Sequence, residues 1–222
     1  MKLYYFEGST TCRPIVMMAA EAGIGLDLVP VDLMAGEQQG PSYTGLNPNQ
    51  LVPLLEDGDF RLTECSAILK YLADTAGSAA YPKDLKARAR VNERMDWFNT
   101  GFLREFAYGT VYPVILSYMA YPDAEVQKAL CARSAEKGKR LLGILNDHLL
   151  GDAGPYLGGT APDLSDFLGV AYVTLGEMLG HDFAEYPRVA RWIAAMRARP
   201  SWATANAGFE GWRDYVRSQA AA

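Results

Sequence analysis

The spacing of apolar residues changes near residue 77, and that change limits the folds open to this chain. Up to Ala76, short apolar runs alternate with turn residues; beyond Lys83, nearly every stretch repeats with a helical period. A chain of 222 residues with such a break reads as two units, 1–77 and 84–222. A small-residue stretch closing on Tyr81-Pro82 joins them.

In the first unit, Lys2–Phe6 predicts a strand, because aromatic and branched side chains dominate and Gly8 follows. Arg13–Ala22 predicts a helix, with Pro14 in its first turn, Ile15, Met18, Ala19 and Ala22 on one face, and Gly23 as the stop. Leu26–Leu33 predicts a second strand. Pro30 has no N–H for a ladder, which puts that strand at a sheet edge. Met34 to Gln50 reads as irregular. Leu51–Glu56 and Phe60–Thr63 flank Asp57-Gly58, a hairpin signal, and Ser66–Ala76 predicts a further helix. A β-α-β unit followed by a hairpin and a helix gives a four-stranded mixed sheet, the thioredoxin-like plan. The second unit predicts helices over Asp84–Tyr108, Asp123–Leu150, Asp163–Leu179 and Arg188–Arg199, with a looser one over Ser201–Val216. Asp163 and Asp166 stand at capping-box spacing, with Asp in place of Glu. The fold class is α/β plus all-α: a thioredoxin-like N-terminal domain followed by an all-helical C-terminal domain.

Composition narrows the function. A formal charge of −5 disfavours a phosphate-neutralising nucleic-acid binder. No apolar run approaches the roughly 20 residues of a membrane span, and the first residues do not form a secretory leader. Cys12, Cys65 and Cys131 are odd in number and far apart, which argues against a disulfide framework. His148 and His181, the only two histidines, make a metal site a weak reading. The expected partner is a small molecule in a reducing compartment.

Two segments could hold one. Glu7-Gly8-Ser9-Thr10-Thr11-Cys12-Arg13-Pro14 joins a strand to a helix start, where free amides and a positive dipole end meet three hydroxyls and a thiol. Thr63-Glu64-Cys65-Ser66 repeats that arrangement, suited to a carboxylate. An ordinary N-cap accounts for either segment taken alone. Between them lies Asn49-Gln50-Leu51-Val52-Pro53-Leu54, where Val52-Pro53 is a candidate cis peptide that turns the Val52 backbone toward a peptide-like ligand.

With these segments in this order, the chain resembles the cytosolic glutathione transferase family over essentially its whole length. The resemblance rests on the thioredoxin-like first domain, an N-P-x-x-x-V-P segment from Asn47 to Pro53, Glu64-Cys65, and the helical second domain. Ser9 to Arg13 looks like the S-x-x-C-R pattern of the serine-type theta and delta classes. Arg90 to Trp97, Val111-Tyr112-Pro113-Val114 and Pro187…Trp192…Arg199-Pro200-Ser201 are similar to family segments as well.

The resemblance implies glutathione as co-substrate, with no permanently bound cofactor and no metal. Ser9 would donate a hydrogen bond to the glutathione sulfur. Thr11, Gln38, Gln50, Leu51, Val52, Pro53, Glu64 and Cys65 would form the glutathione site. Tyr108 and Tyr112, from an aromatic stretch that also holds Phe102, Phe106, Tyr118 and Met119, would wall the pocket of a small hydrophobic electrophile. The implied protein is a cytoplasmic homodimer, paired through its third and fourth helices, without nucleic-acid or membrane partners. The same thiolate would also serve dehalogenation or peroxide reduction, and a non-catalytic binder is a further reading. Cys65 stands where the family usually has serine, and the histidines common at the Gln38 and Gln50 positions are absent. Tyr5, Thr10 and Thr11 are rival activators, although Tyr5 shares a strand face with Leu3 and suits the core. Cys12 has no partner at C-x-x-C spacing and reads as structural. Arg104, His148 and His181 read as surface or packing residues.

Overall fold

Four short strands form one sheet in the order β2-β1-β3-β4: β1 (Lys2–Tyr5), β2 (Asp27–Pro30), β3 (Leu54–Asp57) and β4 (Phe60–Thr63). The computed structural model describes residues 1–220. β1 pairs in parallel with β2 through α1 (Arg13–Glu21), and antiparallel with β3, which turns at Gly58 into β4. Pro30 lies in an edge strand, where its missing N–H costs the sheet nothing. β2 is shorter than Leu26–Leu33. β3 begins at Leu54 and not Leu51, because Gln50 takes a positive φ of 57° and Pro53, after a cis Val52-Pro53 bond, has no ladder donor. The irregular stretch contains a 3₁₀ turn, Glu37–Gln39, and one α-helical turn, α2 (Pro41–Thr44), opened by its proline.

α3 (Cys65–Thr75) and α1 pack on the sheet around Leu3, Ile15, Leu55, Ile68 and Leu72, which are all buried. The helical part follows, three of its helices opened by an aspartate. Asp84 caps α4 (Leu85–Trp97) and Asp123 caps α6 (Ala124–Ile144). Asp163 and Asp166 form the capping box of α7 (Leu164–Thr174). α4 does not stop at Tyr108: it continues as wide π-type turns through Phe98–Val111 into α5 (Tyr112–Ile115). Similar wide turns end α6 at Leu145–Leu149, and a tighter 3₁₀ turn, Leu175–Leu179, ends α7. α8 (Pro187–Arg197) and α9 (Ser201–Ala220) complete the chain.

α7, buried along its whole length, is the axis on which the two parts meet: α1, α3 and α4 all pack on it, and α9 packs on α1. Asp166 locks the entry to α7. Its two oxygens receive the N–H groups of Leu157, Gly158 and Asp163 and the indole N–H of the buried Trp192 at 2.7–3.1 Å. Four donors on one carboxylate suit its ionised form.

Candidate active site

The turn from β1 to α1 is organised around the Ser9 side chain. Ser9 Oγ accepts the N–H groups of Thr11 and Cys12, each at 3.3 Å, and the Ser9 carbonyl accepts those of Cys12 and Arg13 at 3.2 and 3.1 Å. The hydroxyl thus occupies the helix start, where the dipole favours negative charge. Each of the next residues ties the turn to a different part of the fold. Thr10 Oγ1 accepts from the Tyr112 hydroxyl at 2.9 Å. Thr11 Oγ1 lies 3.1 Å from Ser9 Oγ and donates to the Val52 carbonyl at 3.2 Å. Cys12 is buried, and loss of solvent pushes its thiol up to about 11, so it is no nucleophile near neutral pH.

Arg13 ties the turn to the helical part. Its guanidinium, 2% exposed, donates to the Asn206 side chain and the Ala171 carbonyl at 2.7 Å and stacks 3.7 Å over the Phe209 ring. Burial pushes its pKa down to about 9, which leaves it protonated at neutral pH. No carboxylate pairs with it among the described residues. Neutral dipoles and a ring face hold the charge.

The second helix start lies at Glu64, held at φ 68°, a strained value for a non-glycine residue and one that clusters at functional sites. No side chain caps α3, so its first amides stay free for an anion. Glu64 is exposed, but the Cys65 thiol turns inward: it is 5% exposed, part of the core, and burial raises its pKa well above the usual range. What Cys65 can offer a ligand is its backbone N–H. Ser66, next along, accepts from Asn99 at 2.6 Å, and Asn99 accepts from Tyr172 at 2.9 Å.

Between the two helix starts, the Val52 N–H has no acceptor among the described residues. The Leu51 carbonyl is turned inward onto Tyr43 and Asn47, both at 2.7 Å, while its side chain is 62% exposed. Pro53 is buried, Gln50 is exposed, and Gln38 has a buried Oε1 without a partner in the chain.

Tyr108 and Tyr112 stand edge to face with ring centres 5.1 Å apart. Tyr108 is 49% exposed, and burial of its hydroxyl, with Tyr118 and Glu64 nearby, raises its pKa. The Tyr112 hydroxyl is committed to Thr10 and pushed up to about 12 by burial. The Tyr112 hydroxyl thus ties α5 to the Ser9 turn. Tyr5 packs half-buried against the core, Arg104 pairs with Glu105 at the surface, and His148 and His181 are exposed.

The contribution of α9 was not evident from local motifs. Phe209, Trp212 and Val216 pack with Tyr112 and Ile115 beside the Ser9 turn. A methyl added at Gly8 would lie 3.4 Å from the Trp212 ring, and one at Gly208 would strike the Glu7 side chain at 2.6 Å. The three- and four-residue spacing of Phe209, Trp212 and Val216 was the available signal. Among the described residues no acidic, histidine or cysteine cluster suits a metal, and no helix is long and apolar enough to cross a membrane.

A thioredoxin-like sheet with a serine-held helix start, an uncapped one and a cis-proline loop between them, set against a helical part, defines the class of protein. Residues 1–74 match the family model for the glutathione S-transferase N-terminal domain. The chain is 30% identical to glutathione S-transferase D6 of Drosophila melanogaster over 205 residues, 91% of this chain and 90% of that protein. It superposes on a delta-class glutathione transferase of Nilaparvata lugens with TM-score 0.81, 29% identity and 98% of each chain covered. Human glutathione transferase theta-2 in complex with glutathione gives TM-score 0.84 at 28% identity, over 98% of this chain and 90% of that one. The theta-class enzyme of Xanthomonas axonopodis with glutathione bound gives 0.79 at 28%, over 92% and 95%. The chain belongs to the glutathione transferase family.

Proposed function

We propose that this chain transfers glutathione to small hydrophobic electrophiles, with the Ser9 hydroxyl stabilising the thiolate. The observation that carries this reading is the state of Ser9 Oγ. Two backbone N–H groups fill its lone pairs at the start of α1, so its own proton is what it has left to give. A free thiol of pKa about 8.5 is only a few per cent ionised at pH 7. Making the thiolate the major form takes a fall of about two pH units, or roughly 2.7 kcal/mol. A hydrogen bond to a charged acceptor contributes about 1.5–3 kcal/mol and the helix dipole roughly 0.3–2, so the two together suffice.

The Val52 N–H is placed to receive the cysteinyl carbonyl of glutathione, and the first amides of α3 the γ-glutamyl carboxylate, with Glu64 beside them. Gln38 and Gln50 would donate their side-chain amide N–H groups to the glycyl carboxylate. Tyr108, Tyr112 and Trp212 wall the electrophile pocket. A cytoplasmic homodimer paired through α3 and α4 completes the reading; exposed Leu51, Phe60 and Leu85 support an apolar partner surface.

Steady-state kinetics with glutathione and an aryl halide, in wild type and Ser9→Ala, test the assignment. A fall in kcat/KM of about tenfold or more below pH 7, shrinking as pH rises, is expected from loss of the charged hydrogen bond. An equal rate for both proteins at every pH removes Ser9 from the chemistry.

A further inference from the structure

The hydroxyls at the Ser9 turn fix one another's direction. A serine hydroxyl offers one proton and two lone pairs. The amides of Thr11 and Cys12, each 3.3 Å from Ser9 Oγ, take the lone pairs. Thr11 Oγ1 lies 3.2 Å from the Val52 carbonyl oxygen, which can only accept, so the Thr11 proton points there. Between Ser9 Oγ and Thr11 Oγ1, 3.1 Å apart, the one proton left is that of Ser9. The chain runs Ser9 to Thr11 to the Val52 carbonyl, and its end is anchored on a group that cannot reverse it.

We infer that Thr11 is a positioning residue that competes with the glutathione sulfur for the Ser9 proton, and so sets how far bound glutathione is ionised. The inference rests on the proposed role of Ser9. A neutral thiol is a weak acceptor, so beside un-ionised glutathione the Ser9 O–H keeps donating to Thr11. A thiolate is a charged acceptor, stronger than a hydroxyl, and takes the hydrogen bond from Ser9 while the proton remains on Ser9. Ionisation therefore gives up the bond to Thr11 while gaining the bond from Ser9. Thr11 stabilises the thiol form and opposes ionisation, whereas Ser9 favours it. The Val52 carbonyl, with its second lone pair, can accept from a ligand N–H without releasing Thr11. The expectation that Thr11 is a glutathione contact thus becomes an indirect role acting through Ser9.

Thr11→Val keeps the branched shape and removes only the hydroxyl. The thiol form loses a neutral hydrogen bond that the thiolate form does not use, so the thiolate-to-thiol ratio at fixed pH rises about two- to tenfold. A threonine that merely supported the turn would misplace Ser9 when altered, and the ratio would fall. The test is an ultraviolet titration of bound glutathione thiolate in wild type, Ser9→Ala, Thr11→Val, Thr11→Ser and the double variant Ser9→Ala/Thr11→Val. The expected pattern is a raised ratio in Thr11→Val, the wild-type ratio in Thr11→Ser, and no effect of Thr11→Val once Ser9 is alanine. Should Thr11→Val fail to fold, Thr11→Ala is read the same way. An unchanged or lowered ratio in Thr11→Val overturns the inference, and so does an equal rise in the Ser9→Ala background. A Ser9→Ala ratio equal to wild type overturns the reading of Ser9 itself.

Discussion

In the proposed reading, Ser9 carries no charge and contributes a hydrogen-bond proton at a place where charge can develop. Its neighbours divide the remaining work. Thr10 meets Tyr112, Thr11 meets Val52, and Arg13 reaches Asn206 and Ala171. Cys12, the one strong nucleophile type in the turn, is buried with its thiol pushed up to about 11. An alkylating reagent at pH 7 should therefore label half-buried Cys131 first and leave Cys12, Cys65 and activity intact, as peptide mass mapping would show. Rapid labelling of Cys12 with parallel loss of turnover would contradict this account. The S-x-x-C-R spacing was legible because it is local. The Tyr112–Thr10 bond was not, since it joins residues 102 positions apart and no periodicity signals a single hydroxyl contact.

Helix starts were the most legible elements. Asp84, Asp123 and the Asp163–Asp166 pair cap the helices expected of them, because a cap is local chemistry. The wide turns of Phe98–Val111 were not legible, since hydrophobic period alone does not separate α from π turns. Two elements carry testable consequences. Asp166→Ala leaves the buried amides of Leu157 and Asp163, the Gly158 amide and the buried Trp192 indole without their acceptor, and should cost about 3 kcal/mol or more in a urea denaturation. A loss within about 0.5 kcal/mol would show that α7 does not depend on this lock. On α9, Trp212→Ala opens the wall beside Tyr112 and Ile115. It should raise KM for a hydrophobic aryl electrophile about three- to tenfold and leave KM for glutathione unchanged. The reverse pattern would place Trp212 at the glutathione site.

At the scale of the molecule, the change of apolar period near residue 77 was enough to anticipate a mixed sheet followed by helices. The edge position of β2 also followed from the chain, since Pro30 has no N–H for a ladder. The closeness of α9 to the Ser9 turn depends on how α1, α7 and α9 pack together, which single-helix patterns do not encode. A net charge of −5 does little to attract an anionic tripeptide, so local amides and hydroxyls must hold it against the overall field. The account therefore turns on one contact, the glutathione sulfur at the Ser9 hydroxyl. The most direct measurement is the sulfur position in a crystal structure of the protein soaked with glutathione. The account requires the sulfur within hydrogen-bond reach of Ser9 Oγ and nearer to it than to any other hydroxyl. A sulfur placed on Tyr5, Thr10 or Thr11 instead, with Ser9 out of reach, would contradict it.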